Sequence, residues 1–216
     1  KIVDVFRNKK IRVPFFVPDI SKSDKLAVMN ALNSHMLTDG PQLRKFEREF
    51  AKYTGSKYAV ALVNGTDALH LGLLLAEVKK GDEVIIPAPY WVSYPDMVKI
   101  SEGIPVIVET DQSNRFKINA QQLTEAITPK TRLVVLNSPS NPTGVSYSQA
   151  ELASLGEVLR QNPHVMIATD DMYEHILWTD EPFTNILNVC PDLYDRTFVL
   201  NGVSKAYSMT GWRIGY

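Results

Sequence analysis

"RLVVLNSPSNPTG", residues 132–144, sets a short unbroken run of branched apolar residues against a polar loop with two prolines. Such a run fits a strand covered on both faces. The form recurs: "YAVALV" at 58–63, "DEVIIP" at 82–87, "PVIVE" at 105–109, "VMIATD" at 165–170, "TFVLN" at 197–201 and "WRIGY" at 212–216 all read as strands. Between them, apolar residues return at helical spacing. The helices are "SKSDKLAVMNALNSHM" at 21–36, "QLRKFEREFAKYTG" at 42–55, "NGTDALHLGLLLAEV" at 64–78, "SYPDMVKISEG" at 93–103, "NAQQLTEAI" at 119–127 and "SQAELASLGEVLRQ" at 148–161. Alternation of this kind predicts an α/β fold, with a mostly parallel, mixed central sheet and helices on both faces.

The chain's 216 residues suffice for one large core. With 44% hydrophobic residues, 22% charged residues and a net charge of -1, it is an ordinary globular sequence with no global field for nucleic acid or an anionic membrane. No apolar stretch reaches the length of a membrane span, and "KIVDVFRNKK" does not read as a secretory signal. Cys190 is the single cysteine. It can form no internal disulfide, which fits a reducing cytoplasm, and it reads as core filler. No internal repeat, low-complexity tract or metal-ligand spacing stands out.

In parallel sheets, ligands sit beyond the carboxyl ends of the strands. Gly65 and Thr66 follow the first predicted strand and open a helix, whose free N–H groups suit a phosphate. The plainer reading is a glycine turn with Thr66 as helix cap. Trp91 is either a stacking face for a flat ring or a core residue. The loop 137–144 either makes a tight turn or presents the Asn141 amide to a ligand. Asp170 closes an apolar strand, where a carboxylate needs a partner such as a cationic heterocycle nitrogen, or else caps a helix. Tyr173 lies one helical turn on. Asp171 reads as a solvated neighbour, and His35, His70, His164 and His175 as surface or internally satisfied histidines. Lys205, at a strand end and inside a pocket, can form a Schiff base with an aldehyde. Arg213, eight residues later on the adjoining strand, suits a phosphate. Aldehyde, ring nitrogen, flat ring and phosphate together describe pyridoxal 5'-phosphate (PLP).

The motifs "PYWVSYP", "NSPSNPTG", "DDMYEH" and "NGVSKAYSMTGWRIGY" carry a resemblance. Residues 81–216 resemble the bacterial class I aspartate aminotransferases, members of PLP fold type I. The resemblance implies transfer of an amino group between an aspartate-like amino acid and a 2-oxo acid. It implies Lys205 as Schiff-base lysine and general base, and Asp170 as the carboxylate on the pyridine nitrogen. Tyr173 and Asn141 would donate to the ring oxygen, Asn141 would also contact the substrate carboxylate, and Trp91 would stack on the ring. Gly65, Thr66, Arg213 and, more weakly, Ser204 would cradle the phosphate. A cytoplasmic homodimer with the site at its interface is implied too.

Residues 12–80, with "VPFFVPDI" at 13–20, instead resemble the DegT/DnrJ/EryC1 sugar aminotransferases. A nucleotide-sugar ketone is therefore the alternative substrate. Against the class I pattern, the chain also reads as truncated: an N-terminal segment 1–40, an incomplete PLP-binding large domain 41–216, and a missing small C-terminal domain. That expectation brings an exposed apolar surface and, as a further alternative, a fragment that at most binds PLP.

Overall fold

Five strands form the sheet of the computed structural model, which describes residues 17–216. The 1–16 part of the predicted N-terminal segment lies outside the described residues. The strands are β1 (Glu83–Pro87), β2 (Ile104–Val108), β3 (Thr131–Asn137), β4 (Met166–Asp170) and β5 (Thr197–Leu200), in spatial order β2-β1-β3-β4-β5. Every neighbouring pair is parallel.

Successive side chains on a strand leave by opposite faces, and the two cores follow that rule. Ile85, Val134, Leu136 and Ile167 join one cluster; Val84, Ile86, Leu133, Val135 and Ala168 join the other. The first is covered by α5 (Ala120–Ala126), α6 (Gln149–Gln161) and α7 (Ile186–Val189), through Leu123, Leu152, Leu155, Leu159 and Ile186. The second is covered by α3 (Gly65–Leu75) and α4 (Ser93–Ile100), through Leu69, Leu73, Tyr94, Met97 and Val98. Burial on both sides is why these strands read as unbroken apolar runs rather than alternating ones. Reciprocal side-chain caps fix the helix starts: Ser148 with Glu151 on α6, and Asn185 with Asn188 on α7.

Two further helices precede the sheet. α1 (Lys22–Leu32) starts at the Ser21 cap, as its serines predict, but buries no residue; Leu26, Met29 and Leu32 are exposed. α2 (Pro41–Thr54) ends at Gly55 and stacks Phe46 and Phe50 toward Tyr216. No helix among the described residues is long and apolar enough to cross a membrane.

The first and last predicted strands differ from expectation. "YAVALV" is neither a ladder strand nor buried: Tyr58 is 75% exposed, and the segment holds a single antiparallel bridge, Leu62 to Gly215. "WRIGY" begins in a short 3-10 turn, Thr210–Trp212, and pairs only at its end. The reason is local. Residues 214–216 are held between Leu62 on one side and Asn201 and Val203 on the other, too short a contact to build a ladder. The five-stranded sheet is thus wholly parallel rather than mixed, and this antiparallel bridging lies outside its strands. The bridging depends on close backbone approach at Gly215, where a Cβ would overlap the Asn64 carbonyl and the Gly65 nitrogen. Gly215→Ala should therefore destabilise the chain by about 1–3 kcal/mol in a urea titration, loosening the 201–216 segment first.

Candidate functional site

The exits of β3, β4 and β5 bring most of the candidate residues together. Asp170, at the last position of β4, is half-buried. Its Oδ2 accepts from the Tyr94 hydroxyl at 2.6 Å and its Oδ1 from the Met172 N–H at 3.2 Å. Burial pushes its pKa up; the two hydrogen bonds oppose that shift, and no cation among the described residues helps them. Tyr94 is held protonated, its pKa well above the ordinary value through burial first and the Asp170 charge second. Asp170 is thus no helix cap: the chain after it makes a turn, closed by Glu174 N–H to the Asp171 carbonyl.

Trp91 is half-buried and meets Tyr94 edge-on, with centroids 5.7 Å apart and planes at 86°. It thereby packs against the group that holds Asp170. Met172 Cε lies where a Cβ on Gly65 would stand, and close to that of Gly202. The glycines let the Asp170 turn, the exit of β5 and the start of α3 meet. α3 is capped by Asn64, whose side chain accepts from Asp67 N–H at 2.9 Å, so Thr66 is not the cap. The Gly65 and Thr66 N–H groups at this helix start have no partner among the described residues.

Lys205 and Arg213 depart from expectation. Lys205 lies in an exposed turn beyond β5, not at the strand end, and its Nζ stands 5.9 Å from the centre of the half-buried Tyr173 ring. Arg213 is exposed, with φ 58 rather than an extended backbone, because it follows the Thr210–Trp212 turn and donates back to the Thr210 carbonyl at 2.9 Å. Ser204 is half-buried, and its carbonyl accepts from the Thr210 hydroxyl at 2.9 Å. Asn141 gives its backbone N–H to the Asn137 side chain at 2.8 Å, and its own carboxamide has no partner among the described residues. A cavity of ≈ 460 Å³ between the start of α6 and residues 179–184 is lined by none of these candidates.

Asp171 corrects the sequence reading. It is not solvated but 1% exposed. Oδ1 accepts from the Thr169 hydroxyl at 2.6 Å, and Oδ2 from Asn185 Nδ2 at 2.7 Å. Desolvation raises its pKa from 3.8 to about 7. The folded state then binds more protons than the unfolded one between those values, so this group's contribution to stability falls as pH rises from about 3.8 to about 7. Asn can satisfy both neighbours without a charge. Asp171→Asn should flatten that slope in denaturation curves taken between pH 4 and 8, and gain stability at the alkaline end, by on the order of 1.4 kcal/mol per pKa unit.

The single cysteine, Cys190, is buried in the first core cluster as expected. His175 is exposed and meets the Tyr207 hydroxyl at 3.1 Å; His164 meets the Thr128 carbonyl. Tyr94 is the residue that sequence reasoning missed. Its position three residues after Trp91, one helical turn on, was the available signal.

Known proteins resemble this chain in sequence and fold. The aminotransferase class I and II family profile matches residues 19–216. An aspartate/prephenate aminotransferase of Nitrosomonas europaea is 57% identical over 81% of this chain and 44% of its own length. One from Cereibacter sphaeroides is 49% identical over 94% of this chain and 52% of its own. The crystal structure of the Rhizobium meliloti aspartate aminotransferase superposes with a TM-score of 0.81 at 42% identity, covering 94% of this chain and 52% of that one. The Thermus thermophilus aspartate aminotransferase with maleate gives 0.76 at 35%, covering 94% and 53%. The chain spans about half the length of the curated relatives it matches. The family profile takes in residues 19–80, within the stretch that resembles sugar aminotransferases. The chain belongs to the aminotransferase class I and II family.

Proposed function

We propose that the protein carrying these residues is a PLP-dependent aminotransferase that moves an amino group between an aspartate-like amino acid and a 2-oxo acid. The observation that carries the reading is Asp170: a carboxylate at a parallel strand end, raised in pKa by burial, held by two neutral donors and facing no cation among the described residues. A protonated ring nitrogen supplies the missing positive charge. When bound, PLP supplies an aldehyde that captures amines and a ring that accepts electrons.

The donor set fits that group. Asp170 holds the proton on the ring nitrogen, while Tyr94 and the Met172 N–H keep the carboxylate oriented. Trp91 offers an aromatic face, and Tyr173 and Asn141 donate toward the ring oxygen. Asn141, with its carboxamide free of partners among the described residues, also reaches the substrate carboxylate. Gly65 and Thr66 present open N–H groups at a helix start to the phosphate, joined by Ser204 and Arg213. Lys205 would supply the amine for the aldehyde, and the same amine would move the proton of the substrate's α carbon. In this reading residues 41–216 form the cofactor-binding domain, and the protein is a cytoplasmic homodimer. The dicarboxylic substrate is favoured by the relatives' names, aspartate/prephenate aminotransferase, and by the maleate in the Thermus structure.

The test is a visible spectrum of the purified chain titrated with PLP, then challenged with aspartate and 2-oxoglutarate and, separately, with a keto-sugar nucleotide and glutamate. A new visible band that decays on adding aspartate is the expected result. No band, or decay only with the sugar pair, overturns the proposal.

A further inference from the structure

Strands that end together leave backbone groups without ladder partners. β3 and β4 end in register, Asn137 opposite Asp170. Two candidate side chains leave from this edge: the Asp170 carboxylate, and the Asn141 carboxamide four residues past the end of β3. Ser138 N–H reaches the Asp170 carbonyl at 3.3 Å. The Asn137 side chain does more. Its Nδ2 donates to the same Asp170 carbonyl at 2.8 Å, and its Oδ1 accepts the Asn141 N–H at 2.8 Å. Both lengths are those of well-formed bonds. One amide thereby ties the backbone of Asp170 to the backbone of Asn141 and uses neither of their side chains.

We propose that Asn137 is a positioning residue, which sets the separation of the Asp170 carboxylate and the Asn141 carboxamide so that both reach one flat heteroaromatic ligand. The inference rests on the PLP reading above. The junction needs a donor on one arm and an acceptor on the other. Leucine has the shape of asparagine and neither function. Aspartate keeps the acceptor for Asn141 but turns an anionic oxygen toward the Asp170 carbonyl. Asparagine alone of the three serves both strand ends.

The variants Asn137→Ala and Asn137→Asp separate the two arms in the 216-residue chain. Without cofactor, residue-resolved amide exchange reads the clamp directly. In Asn137→Ala, exchange at Asn141 should rise about fivefold or more, while amides inside β3 and β4, such as Val134 and Ala168, keep their rates. Asn137→Asp should restore protection at Asn141. With PLP, the pH midpoint of the visible band should shift in both variants, because both lose the donor to Asp170. A merely structural residue would lower the melting temperature and weaken PLP binding without moving that midpoint, and this result overturns the proposal. So does unchanged exchange at Asn141 in Asn137→Ala. If the alanine variant fails to fold, Asn137→Asp decides: a midpoint equal to the parent's overturns the inference. A parent chain with no PLP band sinks the cofactor reading and the ligand-positioning claim with it, and the exchange arm then reports only the backbone clamp.

Discussion

Lys205→Ala should leave a folded chain that shows no PLP-dependent visible band and no amino transfer above buffer. Lys205 is exposed in its turn, and no ion pair holds its amine among the described residues; its Nζ stands 5.9 Å from the centre of the Tyr173 ring. A lysine in that position is free to act as a nucleophile once deprotonated. The turn itself is held by backbone, Ser208 N–H to the Lys205 carbonyl at 3.1 Å, so removing the side chain should change stability by no more than about 0.5 kcal/mol. Loss of both the nucleophile and the proton carrier should cost at least on the order of 10³-fold in rate. Lys205→Arg keeps the charge but, being always protonated, should fail equally. If the alanine variant retained the visible band and its response to aspartate, a different amine would be the site of capture.

The sheet was legible because its physics is local. Runs such as Leu133 to Leu136 are apolar on both sides, and the structure packs their alternate residues into two separate cores. The first and last strands were misread for the same reason inverted: "YAVALV" has strand composition, but Leu62 finds a partner only at Gly215, near the far end of the chain. Composition cannot reveal a missing neighbour.

The site divides along a similar line. Asp170 stood out as an acid ending an apolar strand, yet its partner Tyr94 lies 76 positions away and becomes visible only once α4 packs on the sheet. Asp171 was legible in part. Residues two apart on a strand share a face, so Thr169 and Asp171 were placed to bond each other, as they do. The second donor, Asn185, arrives with the start of α7 and leaves no mark near Asp171 in the sequence.

That period-two split makes Asp170 the sharper experiment, because its neighbour is a built-in control. Asp170 shares a strand face with Ala168, toward α4 and Tyr94; Asp171 faces the opposite core. Asp171 is buried and Asp170 half-buried; both have raised pKa values, and desolvation is the leading cause in each. Replacing either with asparagine removes a costly buried charge, and neither should unfold the chain. In Asp170→Asn the new carboxamide can still accept from Met172 N–H and donate to the Tyr94 oxygen. The difference lies in function. Asp170→Asn leaves the ring nitrogen without its anion and should lower amino transfer by on the order of 10²–10³-fold, with Asp170→Ala at least as severe and PLP affinity reduced far less. Asp171→Asn should transfer at near-parental rate. The pH dependence follows the same sign: a cation binds the charged carboxylate, so PLP affinity should weaken as pH falls through the raised Asp170 pKa, and Asp170→Asn should lose that dependence. Near-parental rates in Asp170→Ala would show that the carboxylate does not hold the ring proton, and equal losses at 170 and 171 would show that buried charge, rather than a cofactor contact, explains both.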